Sequence, residues 1–218
     1  MPESLELQPS ASTAVARARI LTPALVQPGS RMFPLEAVYS FSAIRGKFGE
    51  GQVFAFTSAH RREGVSHVVG LLGRHLASYC GEDVLIVSPP HLRRLRPLDI
   101  QQIEMVGRQS DPCLWTLPQE LPERASGDGA IEEDLWMVLR TRFRYVLLDC
   151  SSLDTSGDVL SLAPRVDGTA LVVQAGHTLK ADIQKAVRVL SLASSSPFVG
   201  CILNQRTYPV PGFLYRKL

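Results

Sequence analysis

Residues Val53–His67 read VFAFTSAHRREGVSH: an apolar run, a turn, and the opening of a helix. The run Val53–Thr57 (VFAFT) carries no polar residue until its end, the mark of a strand covered on both faces. From Val65 to Tyr79 apolar residues recur at helical spacing. A strand that passes through a short turn into a helix, with Gly64 and Ser66 at the junction, has the layout of a phosphate-binding loop. Such a loop needs small residues, so that backbone N–H groups close around phosphate. It also needs a lysine to reach the outer phosphates and a hydroxyl to hold Mg²⁺. Here Gly64 and Ser66 are kept, Val65 stands at the lysine position, Arg62 at a glycine position, and His67 follows the serine. Taken alone, the motif fails.

Outward from this stretch the same alternation continues. Val84–Val87 (VLIV), Leu114–Leu117 (LWTL), Tyr145–Asp149 (YVLLD), Thr169–Val173 (TALVV) and Val199–Leu203 (VGCIL) read as further strands. Val65–Tyr79, Ile131–Arg142 and Lys180–Ala193 read as helices between them. Strands alternating with helices predict a single α/β domain with a doubly wound, mostly parallel sheet. In that fold ligands sit at the carboxyl ends of the strands, which is where the loop from His60 to His67 would lie. A further helix is predicted over Pro34–Arg45 (PLEAVYSFSAIR), with Pro34 near its start and Gly46, Gly49 and Gly51 ending it. Residues 1–33 mix Pro, Ser and Ala without a period and read as a flexible leader. Residues 34–204 read as the domain and 205–218 as a tail, with Leu121–Ala130 a surface loop.

The bulk numbers bound the function classes. Of 218 residues, 45% are hydrophobic and 20% charged, which suits a packed globular domain. A net charge of +2 is too small to imply nucleic acid as a partner. No apolar run approaches the roughly 18–20 residues that span a bilayer. The first residues carry Glu3 and Glu6 and do not read as a signal peptide, so the expected location is the cytoplasm. Cys80, Cys113, Cys150 and Cys201 lack metal-ligand spacing and read as reduced thiols, with Cys150 and Cys201 in or beside apolar runs.

Three downstream segments change how the loop is read. Phe143–Asp149 (FRYVLLD) is a hydrophobic strand ending in an acid, the layout of a Walker B element. Asp158–Thr178 carries an Ala163-Pro164 pair, then Asp167-Gly168, then a strand ending at Gly176 and Thr178. Val199–Asn204 (VGCILN) closes the series. Together these resemble the cytoplasmic tyrosine-kinase domain of bacterial polysaccharide synthesis (the BY-kinase, CpsD/CapB-like group), within the ParA/MinD-like class of P-loop ATPases. The likeness runs from about Pro34 to Asn204 and is most specific from Tyr145 onward.

The resemblance implies roles for individual positions. Gly64, Val65, Ser66 and His67 fall on the nucleotide-binding loop, Asp149 on the acid near Mg²⁺, and Asn204 on a residue that contacts adenine. Pro34, Leu35, Glu36 and Ala37 resemble the start of an oligomerisation helix. The two arginines expected after Glu36 are replaced by Tyr39 and Ser42, which puts homo-oligomerisation in doubt. The family's terminal tyrosine cluster is reduced to two phosphoacceptor candidates, Tyr208 and Tyr215, in a tail that also reads as a packing segment. Ser88 replaces an aspartate of the second Walker motif, and Cys150-Ser151-Ser152 stands where Thr-Pro-Pro follows the Walker B acid.

The departures fall on the chemistry. Losing the lysine removes a positive charge from the site of transfer, the kind of stabiliser worth about 10²–10³ in rate. Arg61 or Arg62 offers another cation, at the cost of bulk in the cradle. The expectation is a catalytically impaired domain, with ATP or ADP and Mg²⁺ bound weakly or not at all. Its implied partner is a membrane polysaccharide co-polymerase, chain-length or export protein. The alternatives are an active tyrosine autokinase of the same pathway and a ParA/MinD-like positioning ATPase. His60 and His67 read as solvated loop side chains, and Arg93–Arg96 (RRLR) as a solvated helix start or an anion-facing run.

Overall fold

A computed structural model describes residues 20–21, 51–101, 108–117, 131, 133–193 and 197–204. In chain order the elements are β1 (Ile20–Leu21), β2 (Gln52–Ser58), α1 (Val65–Cys80), β3 (Val84–Val87), α2 (Pro89–Leu92) and α3 (Pro97–Gln101). They continue with β4 (Arg108–Asp111), β5 (Leu114–Thr116), α4 (Glu133–Arg142), β6 (Tyr145–Asp149) and α5 (Asp158–Leu162). A 3₁₀ turn (Ala163–Arg165), β7 (Gly168–Gln174), α6 (Lys180–Ala193) and β8 (Phe198–Asn204) complete the set. The strands form one sheet in the order β1-β8-β7-β2-β6-β3-β5-β4. Every neighbouring pair is parallel except β4 with β5.

The side-chain alternation along each strand explains the layers. Phe54 and Phe56 of β2, Leu147 of β6 and Val172 of β7 join Val68, Val69, Leu72 and Leu76 of α1 in one core cluster. Val53, Ala55, Leu148 and Leu171 point the other way, into a cluster with Leu139 of α4, Val159 of α5 and Leu190 of α6. Leu92 of α2 and Ile100 of α3 belong to the second cluster as well, so among the described helices α1 covers one face and the other five cover the opposite one. Each fully buried large apolar side chain is worth about 1.5–3 kcal/mol, so both faces of the sheet contribute heavily.

β2 sits at the centre, and the chain winds outward from it in both directions. After β2 it moves to β3 and returns to β6, which pairs with β2 on one side. It then crosses to β7, which pairs with β2 on the other. That reversal makes the carboxyl end of β2 the topological switch point, the place where folds of this kind bind ligands.

The opposite, amino end of β2 is closed by a staple. Asp167 accepts the Val53 N–H at 2.7 Å and an Arg140 N–H at 2.6 Å. Arg140 also donates to the Gly51 and Arg165 carbonyls, each at 3.0 Å. Gly51 has no room for a side chain: a Cβ would lie 1.9 Å from the Phe143 carbonyl oxygen. The Asp167-Gly168 pair, singled out in the sequence, therefore ties the amino ends of β2 and β7 to α4.

The predicted strands and long helices appear within a residue or two of their expected bounds. Ile131 lies outside α4, which begins at Glu133. The polar strand β4 and the short helices α2, α3 and α5 have no counterpart among the predicted elements. Arg93–Arg96 lies between α2 and α3 rather than opening a helix, and Arg93 is engaged by Asp158 at 2.6 Å. Ile20 and Leu21, within the expected leader, pair in parallel with Cys201 and Ile202 of β8. The rest of residues 1–33, the predicted helix Pro34–Arg45, the loop Leu121–Ala130 and the tail from 205 lie outside the described residues. Cys113, Cys150 and Cys201 are free; burial pushes the Cys201 thiol up to about 11 and raises Cys150 further. Among the described residues no helix is long and apolar enough to cross a membrane.

Candidate nucleotide site

The loop after β2 starts from a held position. The Thr57 hydroxyl donates to the Ser151 carbonyl at 2.7 Å, and Leu153 N–H donates to the Ser58 carbonyl at 2.9 Å. The segment after β6 is thereby kept beside β2, as the pairing of Phe56 with Asp149 requires. The Ser58 hydroxyl donates to the His60 carbonyl at 2.7 Å and starts the turn. Arg62 (φ 67°) and Gly64 (φ 90°) are both left-handed. This explains why glycine is expected at position 62; an arginine there carries strain of about 1 kcal/mol or more.

Glu63, only 3% exposed, braces the loop from beneath. Its carboxylate accepts the His60 N–H at 3.1 Å and the Thr178 hydroxyl, while its carbonyl accepts the Asn204 amide at 2.9 Å. Thr178 in turn accepts the Gln174 N–H at 3.0 Å. The ends of β7 and β8 thus hold the loop in shape from the side. Asn204, expected at adenine, spends its amide on the loop.

Gly64 caps α1 with a left-handed backbone and, having no side chain, makes no side-chain cap bond to the first turn. A helix start of this kind presents N–H donors and the positive end of the helix dipole to an anion. Val65 turns its side chain into the apolar cluster of Phe54, Phe56 and Val68. It supplies no charge. Ser66 is exposed and hydrogen-bonds the Asp149 carboxylate. Burial raises the Asp149 carboxyl above its usual range, with the Ser66 bond working in the opposite direction. The hydroxyl and carboxylate together fit Mg²⁺, which commonly takes one or two carboxylates and completes its shell with phosphates and water. Among the described residues no cluster of three His, Cys, Asp or Glu would hold a metal unaided.

The structure therefore brings Gly64, Ser66, Asp149 and Asn204 to one end of the sheet, with Val65 buried below and His67 exposed. Tyr208 and Tyr215 lie outside the described residues. At the carboxyl end of β3, Ser88 pairs with His91 Nδ1 at 2.8 Å. Sequence reasoning missed Glu63 and Thr178, and it underread His60. His60 is half exposed, but both its ring nitrogens meet carboxylates, Asp154 at 3.2 Å and Asp182 at 3.3 Å.

No family model matches the chain, and no curated protein sequence matches it. Solved structures do. The VpsO kinase domain is 21% identical over 72% of this chain and 86% of that one, with a TM-score of 0.54. The kinase domain of the Escherichia coli tyrosine kinase ETK is 15% identical over 93% and 91%, with a TM-score of 0.55. The septum site-determining protein MinD of Pyrococcus horikoshii, complexed with Mg-ADP, is 16% identical over 77% and 76%, with a TM-score of 0.50. The chain has the α/β P-loop fold that these kinase domains and MinD share.

Proposed function

We propose that this chain is a catalytically impaired P-loop protein of the BY-kinase type, serving as a regulatory or interaction partner in exopolysaccharide or capsule synthesis. The observation that carries the reading is Val65. It is 8% exposed and packed in the core at the one position where phosphoryl transfer calls for a cation. Around it the loop is braced, Gly64 begins the helix without a side-chain cap, and Ser66 hydrogen-bonds Asp149. The site is built to receive an anion and lacks the charge that would drive its transfer. ATP or ADP with Mg²⁺ would meet the first-turn N–H groups, Ser66 and Asp149. Without the lysine that binding is weak or absent.

Its partner on this reading is a membrane polysaccharide co-polymerase or export protein, met at the inner face of the membrane. The kinase domains named for VpsO and ETK support the kinase-type reading, and the Mg-ADP in MinD supports the ligand class. The test is incubation with ATP and Mg²⁺ followed by detection of phosphotyrosine. The expected signal is no greater than that of Asp149→Ala. A strong signal that Asp149→Ala abolishes would replace this reading with an active autokinase.

A further inference from the structure

His60 stands in the phosphate loop and faces carboxylates on two other elements. Its Nδ1 is 3.2 Å from Asp154 Oδ2, in the loop after β6, and its Nε2 is 3.3 Å from Asp182 Oδ2, in the first turn of α6. A neutral imidazole has one N–H, so it can donate to one of these oxygens and must turn a lone pair toward the other. Only the imidazolium satisfies both. The arrangement is thus complete in one protonation state alone.

Asp154 is itself held in place. It accepts the Ser152 hydroxyl at 2.6 Å and the Thr155 hydroxyl at 3.1 Å. Among the described residues the charged groups that act on His60 are Asp154 from the loop after β6, Asp182 from α6 and Glu63 from its own loop, all acidic. Hydrogen bonding to Asp154, then to Asp182, holds the imidazole above its usual range.

We propose that His60 is a proton-operated latch on the candidate nucleotide site, tying the phosphate loop to the segment 151–157 and to α6 while charged and releasing one of them when neutral. The segment it holds directly follows Asp149, so the latch sets how firmly the wall beside the acid is closed. The sign follows from the raised affinity for the proton: the latch is shut through the ordinary histidine range and opens as pH rises beyond it. Its regulatory meaning rests on the phosphate-site reading above; the latch itself is a property of the ligand-free chain.

The test uses the full chain without nucleotide. Histidine ring resonances are followed by NMR between about pH 5 and 9, beside hydrogen exchange of residues 151–157 corrected for intrinsic rate. The His60 midpoint is expected above about 6.5, moving down in both Asp154→Asn and Asp182→Asn. Exchange at 151–157 is expected to rise at least about threefold across that midpoint, and to lose this pH dependence in His60→Gln. A His60 midpoint unmoved by both asparagine variants would overturn the latch. So would exchange with the same pH dependence in His60→Gln. No nucleotide is present, so the outcome is independent of how Mg-ADP behaves.

Discussion

Asp167 at the amino end of the sheet and Asp149 at the carboxyl end are both acids beside β2, in opposite electrostatic situations. Asp167 receives a backbone N–H at 2.7 Å and a guanidinium at 2.6 Å. Asp149 has the Ser66 hydroxyl and, among the described residues, no cation that lowers it, while burial raises its carboxyl. The first acid is paired and stabilises the fold. The second is held ready at a cost, as groups at binding sites often are. Sequence reading grouped both within one family pattern; their surroundings separate them.

The largest expected effect breaks the closed end. In Gly51→Ala the new methyl would meet the Phe143 carbonyl at 1.9 Å and that of Arg140 at 2.6 Å. The expected loss is about 4 kcal/mol or more by urea denaturation. Asp167→Ala comes next, leaving the Val53 N–H without its acceptor and Arg140 without its carboxylate, with only the Gly51 and Arg165 carbonyls still to bond, and is expected to cost about 2–3 kcal/mol. A loss below about 1 kcal/mol for both, against that expectation of several, would show that the staple is not what holds this end.

The open end should respond with the opposite sign. A carboxyl whose folded-state pKa is raised disfavours folding once ionised, a penalty present above that raised value and gone below the ordinary carboxylate range. Asp149→Asn is therefore expected to raise the thermal midpoint at neutral pH, by less than Asp167→Ala lowers it. The advantage over wild type should shrink as pH falls through the raised value. A variant less stable than wild type at neutral pH would instead make Asp149 a structural partner like Asp167.

The sheet was legible because its strands are buried on both faces and read as unbroken apolar runs. β4 (RQSD) escaped because an edge strand at the end of the sheet needs no such run. α5 escaped because five residues give too little periodicity to register. At the site, the missing lysine could be read directly from Val65. The bracing could not. Glu63 finds Thr178 115 residues away and Asn204 141 residues away, and His60 finds Asp154 94 residues on. No local pattern carries contacts that exist only once β7, β8 and the loop after β6 are aligned. Arg62 is intermediate: the sequence shows a glycine position filled by arginine, and the structure shows that the left-handed backbone is kept regardless.

The phosphate loop, on this account, is assembled but lacks its cation. Calorimetric titration with Mg-ADP of the wild-type chain and of Val65→Lys, each confirmed folded by circular dichroism, tests this most directly. Little or no heat is expected for the wild type, with a Kd of about 1 mM or weaker, and at least about tenfold tighter binding in Val65→Lys. Micromolar binding by the wild type, unimproved by the lysine, would contradict it.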